Sequence, residues 1–162
     1  VSGPDRDLAA AVLAAARAAR LSLATAESCT GGLVSATLTA VPGSSDVMAG
    51  GVVSYSNAVK TALLGVRGET LAAHGAVSEE VALEMALGAS ERLGADLAVS
   101  ITGIAGPGGS EHKPEGRVCF ALAQAGHAEA ETVEFGALGR DEVRRRAADH
   151  ALSLLLAKAE GT

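Results

Sequence analysis

The sequence predicts a single α/β domain over residues 1–162, a three-layer α/β/α sandwich around a mixed, mainly parallel sheet. Strand-length apolar runs alternate with helix-period segments along most of the chain. The last two strand-like runs flank Gly126 as a hairpin would, which adds an antiparallel part to the sheet. Apolar residues make up 48% of the chain and aromatic residues only 2%, so Ala, Val, Leu and Ile must build the interior at short helix–sheet distances. No repeat, linker or low-complexity segment divides the 162 residues, a length that suits one core.

The elements follow in order. Asp5 can cap a helix to about Arg20, with Leu8, Val12 and Leu13 at helical spacing. Residues 21–26 read as a strand. Thr30-Gly31-Gly32 opens a second helix with Leu33, Val34 and Leu38 inward, and Pro42-Gly43 ends it. Residues 47–55 form the next strand. Asn57 can cap a helix carrying Lys60, Leu63 and Leu64, which stops at Gly65. A short helix over 69–73 ends at Gly75. Ser78 caps the next, with Glu79 and Glu80 where the helix dipole favours acids, and Gly94 ends it. Strands follow at 97–102, 117–123 and 129–135. The last helix spans 140–158, with Val143, Ala147, Leu152 and Leu155 inward. Residues 110–115 are the most loop-like stretch.

Composition narrows the function classes. A formal charge of −6 argues against a nucleic-acid surface, which needs clustered Lys and Arg. Four scattered histidines and two cysteines, Cys29 and Cys119, show no metal-ligand spacing, so no metal or cofactor is expected. No leader pattern and no apolar run of about 20 residues is present, so a cytoplasmic protein off the membrane is expected. Ala-rich helices could support a homo-oligomer.

Three loops each follow an expected strand: residues 27–32, the segment with Tyr55, Asn57 and Lys60, and residues 102–109. In open α/β sheets ligands bind beyond the carboxyl ends of the strands, so three parallel strands would bring these loops together. Ser28 stands between strand and helix, where unpaired N–H groups could hold an oxyanion if its hydroxyl attacked a carbonyl. It could equally just cap the helix. No His lies in these loops, but Lys60 does, and burial or a neighbouring cation would make it a base. Otherwise it is a solvated helix lysine. Arg140 and Arg144 share one helix face, from which they could hold a phosphate or repel a proton from Lys60. The glycine-rich segment 103–109 is either turn chemistry or an anion cradle, and it matches no nucleotide fingerprint. Cys29 could be the nucleophile instead, since a helix N-terminus lowers a thiol pKa, or it could simply be buried. Glu27 could be an acid/base group, but with no second carboxylate in the loops a cap or cation partner is favoured.

The run TAESCTGGLVSATLTAVPGSSDVMAGGVVSYSNAVKTALLGV (25–66) resembles the CinA C-terminal domain family. HGAVSEEVALEMALGA (74–89) and SITGIAGPGGSEHKPEGRVCFAL (100–122) continue the resemblance in order. Within the family the chain resembles the stand-alone form, the nicotinamide mononucleotide deamidases. The resemblance implies hydrolysis of nicotinamide mononucleotide to nicotinate mononucleotide and ammonia, in pyridine nucleotide salvage, by a metal-independent Ser-Lys dyad. It implies Ser28 as nucleophile, Lys60 as base, Tyr55 as an orienting residue, and Arg144 near the dyad, helping to keep Lys60 neutral. Substrate contacts are expected at Glu27, Thr30, Gly31, Asn57, Thr102, Gly103, Ala105, Gly106 and Arg140. The chain departs from the family pattern in three places: no aromatic follows Pro42-Gly43-Ser44-Ser45, Leu138-Gly139-Arg140 lacks an Asp before the arginine, and Arg117 replaces a small polar residue. Two other readings are a catalytically silent nucleotide-binding or interaction domain, and a cysteine hydrolase using Cys29.

Overall fold

The computed structural model describes residues 3–110 and 112–162. The elements run α1 (Arg6–Ala19), β1 (Leu23–Glu27), α2 (Leu33–Thr39), β2 (Met48–Val53), α3 (Asn57–Leu64), α4 (Gly68–His74), α5 (Glu79–Leu93), β3 (Leu97–Gly103), β4 (Arg117–Gln124), β5 (His127–Glu134) and α6 (Arg140–Glu160). The sheet order is β2-β1-β3-β4-β5. The first three strands are parallel, and β4 and β5 are antiparallel. The expected mixed α/β sandwich is therefore the fold.

Strand alternation sorts side chains by size between the two faces. Leu23, Leu97, Val99, Ile101 and Phe120 pack with α1, α2 and α6. Ala24, Ala26, Ala98, Ala121 and Ala123 face the other way, toward α5. These small residues let α5 lie close across the sheet. Its Gly88 meets the end of α3, and a Cβ there would overlap the Leu64 carbonyl.

Several boundaries move. Asp5 caps α1 as expected, accepting from the N–H of Asp7 and Leu8. α2 begins at Leu33 rather than Thr30, because residues 30–32 are spent in turns, and Gly31 and Gly32 have positive φ. A 3-10 turn, Ser44–Asp46, follows it unforeseen. Ser56, not Asn57, caps α3, accepting from Val59 N–H at 3.2 Å. β2 stops at Val53, which leaves Tyr55 outside the sheet. The loop 110–115 carries a small bridge between Ser110 and Lys113. No helix among the described residues is long and apolar enough to cross a membrane.

Candidate active site

The carboxyl ends of β1 and β3 and the chain leaving β2 open on one pocket of about 260 Å³, the scale of a small-molecule site. Ser28 is the first residue past β1. Its N–H donates to the Ile101 carbonyl of β3 at 2.9 Å, which fixes its position. Lys60, on the second turn of α3, reaches across from the other side. Its Nζ donates to Ser28 Oγ at 3.0 Å and to the Tyr55 carbonyl at 3.0 Å. Ser28 is 7% exposed and Lys60 1%, so the pair lies at the pocket floor.

Glu27, one residue before Ser28, points to the opposite face of the sheet. Its carboxylate accepts from Thr30 Oγ1 at 2.7 Å and from the N–H groups of Val34 and Ser35 at 2.9 Å each. A carboxylate at a helix N-terminus satisfies orphan donors and the dipole together. Glu27 thus caps α2, which has no cap from its own Gly32. The bend between strand and helix is held at its base, directly beneath Ser28.

Arg144 holds the same bend from above. Its Nε donates to the Cys29 carbonyl at 3.1 Å and its Nη2 to the Thr30 carbonyl at 3.3 Å. Among the described residues no backbone carbonyl accepts from the N–H of Cys29 or Thr30. The grip on the Cys29 carbonyl fixes the peptide plane that carries the Thr30 N–H, whereas the Cys29 N–H shares its plane with the Ser28 carbonyl, which accepts from Gly31 N–H at 3.0 Å. Cys29 lines the pocket, but burial pushes its thiol up to about 12. A thiol held in that state is a poor nucleophile, which argues against the cysteine-hydrolase reading.

The rim is a closed circuit. Arg140 donates to the Tyr55 hydroxyl at 3.1 Å and to the Gly106 carbonyl at 2.6 Å. Farther along the same loop, Gly108 N–H donates to Glu115 Oε1 at 2.7 Å. Glu115 Oε2 accepts from the N–H of Gly139 at 3.1 Å, one residue before Arg140. One N–H of the glycine-rich loop, that of Gly108, is thus taken by an internal carboxylate, Glu115. Gly106 must lack a Cβ, which would collide with Glu115.

The family model for the CinA C-terminal domain matches residues 5–159. The chain belongs to this family. It is 55% identical over 142 residues to a CinA-like protein of Mycolicibacterium gilvum, covering 87% of this chain and 34% of that protein. It is 49% identical over 153 residues to a CinA-like protein of Parasynechococcus marenigrum, covering 93% and 36%. The chain thus spans about a third of the length of the curated relatives it matches. Among solved structures, the competence/damage inducible protein CihA from Agrobacterium tumefaciens superposes with a TM-score of 0.91 at 43% identity, covering 96% of each chain. A CinA superfamily protein from Klebsiella pneumoniae gives 0.93 at 38% identity, covering 97% of this chain and 98% of that one.

In this CinA domain Ser28, Tyr55, Asn57, Lys60, Thr102, Gly103, Ala105 and Arg140 line the pocket. Four residues expected at the substrate are placed differently. Glu27 and the Thr30 hydroxyl are spent on each other beneath the pocket. Gly31 N–H donates back to the Ser28 carbonyl at 3.0 Å, so it is not a free donor. Gly106 contributes its carbonyl to the rim through Arg140 rather than lining the cavity. Arg144 grips the loop's carbonyls. Ala76, Val77 and Ser110 line the pocket unforeseen, and Ile104 lines it from within the 102–106 run. The segment carrying Ala76 and Val77 is pinned by Lys113, whose Nζ donates to the carbonyls of His74 and Val77. No cluster of three His, Cys, Asp or Glu among the described residues could hold a metal.

Proposed function

We propose that this CinA domain is an amidohydrolase that removes ammonia from the carboxamide of nicotinamide mononucleotide, using Ser28 as nucleophile and Lys60 as base. The observation that carries the reading is the 3.0 Å approach of Lys60 Nζ to Ser28 Oγ at the buried floor of a small-molecule pocket. Withdrawal from water disfavours an ammonium, and a neutral amine in that position accepts the proton of the hydroxyl.

The steps follow from the neighbours. Ser28 Oγ attacks the carboxamide carbon and its proton passes to Lys60 Nζ. The oxyanion meets the N–H groups of Cys29 and Thr30, the second of which lies in the peptide that Arg144 grips. The protonated Lys60 gives its proton to the departing ammonia, leaving an ester on Ser28. Water activated by the neutral amine hydrolyses the ester, restoring Ser28. The Tyr55 carbonyl keeps Lys60 Nζ aimed at Ser28 throughout. The pyridinium draws electrons from its carboxamide, which eases the attack.

Arg140 at the mouth is the cation placed to meet the phosphate, a role for which a guanidinium is well suited. Ammonia release from nicotinamide mononucleotide, nicotinamide riboside and nicotinamide tests the reading. The nucleotide is expected to be turned over fastest. Release from none of the three would contradict it.

A further inference from the structure

Arg140 hangs from a glycine hinge. Residues 136–139 join β5 to α6, and Gly136 and Gly139 have φ of 90° and 91°. Gly139 is also the N-cap of α6, with no side chain to close the helix end. Glycine leaves the backbone the widest choice of conformations, so a side chain mounted on this hinge needs an outside brace to hold one position.

Glu115 supplies it. Its Oε2 accepts from Gly139 N–H at 3.1 Å and its Oε1 from Gly108 N–H at 2.7 Å. Among the described residues no other side chain hydrogen-bonds residues 136–139. One carboxylate thus joins the end of the hinge to the glycine-rich loop. Arg140 ties the same two pieces in the opposite sense, through the Gly106 carbonyl at 2.6 Å. The two ties respond differently to an anion in the pocket. Both partners of Arg140, the Gly106 carbonyl and the Tyr55 hydroxyl, are neutral oxygens. A phosphate binds a guanidinium more strongly than either and draws it away from them. Glu115 holds backbone N–H groups alone, so its tie outlasts that exchange.

We propose that Glu115 is a positioning residue for phosphate recognition, fixing the start of α6 against the glycine-rich loop so that the Arg140 guanidinium stays at the pocket mouth. This rests on the reading of Arg140 as the partner of the substrate phosphate. Glu115 then sets how strongly a phosphorylated nucleoside is preferred over the same nucleoside without phosphate. A carboxylate acting only through its charge would do the reverse, because it repels a phosphate bound nearby. Neutralising it would tighten nucleotide binding, whereas loss of the brace weakens it.

The test is calorimetric binding of nicotinamide mononucleotide and nicotinamide riboside in a Ser28→Ala background, where neither compound is turned over. The ratio of the two dissociation constants is read. Glu115→Gln keeps the shape but turns one acceptor into a donor facing an N–H, and the preference for the nucleotide is expected to shrink about tenfold. Arg140→Ala is expected to abolish the preference, and adding Glu115→Gln to it to change nothing further, since Glu115 acts through Arg140. Retained binding of the riboside shows that the pocket still forms. A second measurement needs no variant of Glu115: the Gly108 and Gly139 amides are expected to exchange slowly with deuterium, although Gly108 is exposed. A parent protein without nucleotide preference overturns the proposal. So does a preference that Glu115→Gln leaves unchanged or enlarges, a further loss on adding it to Arg140→Ala, or free exchange of the two amides. Ammonia release by the unsubstituted protein tests the deamidase reading separately. A preference that shrinks as expected in a protein releasing no ammonia upholds the role of Glu115 and contradicts the hydrolysis.

Discussion

Lys60 Nζ stands 3.0 Å from Ser28 Oγ, although 32 residues of chain separate the two. β1 delivers the hydroxyl and α3 the amine, and the parallel pairing of β1 with β2 brings the two elements side by side. Everything around this pair serves to fix one partner or the other, and each fixing group makes a separate prediction.

Glu27 is the hidden brace. Its two oxygens accept from two backbone N–H groups and one hydroxyl while 1% exposed. Glu27→Gln keeps the shape but turns one oxygen into a donor facing donors. The variant is expected to lose about 2–3 kcal/mol of stability, read as a lower urea midpoint at unchanged slope. An unshifted midpoint would mean that α2 does not depend on this cap.

Arg144 acts on the loop through its carbonyl contacts at Cys29 and Thr30. Arg144→Ala frees the Cys29–Thr30 peptide plane, which aims the Thr30 N–H at the oxyanion. The rate constant kcat is expected to fall about 10²-fold, with little change in KM or melting temperature. A rise in KM alone would assign Arg144 to substrate binding instead.

Cys29 should be a bystander. With its thiol pushed up to about 12, roughly one molecule in 10⁴ carries the thiolate at pH 8. Cys29→Ala is expected to keep the wild-type order of magnitude in activity, and iodoacetamide at pH 8 to leave the enzyme active. Rapid inactivation by alkylation at Cys29 would contradict this.

Glu142 gives α6 a pH dependence. The guanidinium groups of Arg145 and Arg146 bring its carboxyl down to about 2 from an ordinary 4.5. A carboxyl lowered in the folded state adds stability that is complete above its unfolded value and lost as pH falls through its folded value. The gap in melting temperature between wild type and Glu142→Gln should therefore be full above pH 4.5 and close toward pH 2. A gap that widens on acidification would reverse the sign. Because the Glu142 side chain is 36% exposed, the gap itself should be small and salt-sensitive.

What the sequence disclosed follows from the range of the interactions involved. The alternation of strands and helices is local, and it gave the sandwich and nearly every element. Ser28 and Lys60 were legible because each lies in a short run after a strand, and parallel strands must put such runs on one edge. Glu27 was legible only as a choice between acid and cap. The start of α2 decides that choice, and it moved from Thr30 to Leu33 because two glycines took up the turn. Ser56 and Asn57 both have capping side chains, so only the backbone could choose between them. Glu115 gave no signal, because its partners Gly108 and Gly139 lie 7 and 24 residues away in loops without periodicity. The pocket wall at Ala76 and Val77 is held by Lys113 from another loop, again beyond any local pattern.

The most direct test of the central claim is the rate of ammonia release from nicotinamide mononucleotide by Ser28→Ala and Lys60→Ala, each checked for a native melting curve. Both rates are expected to drop by at least about 10³-fold, since one variant lacks the attacking oxygen and the other its base. Wild-type turnover by a folded Ser28→Ala enzyme would contradict the account.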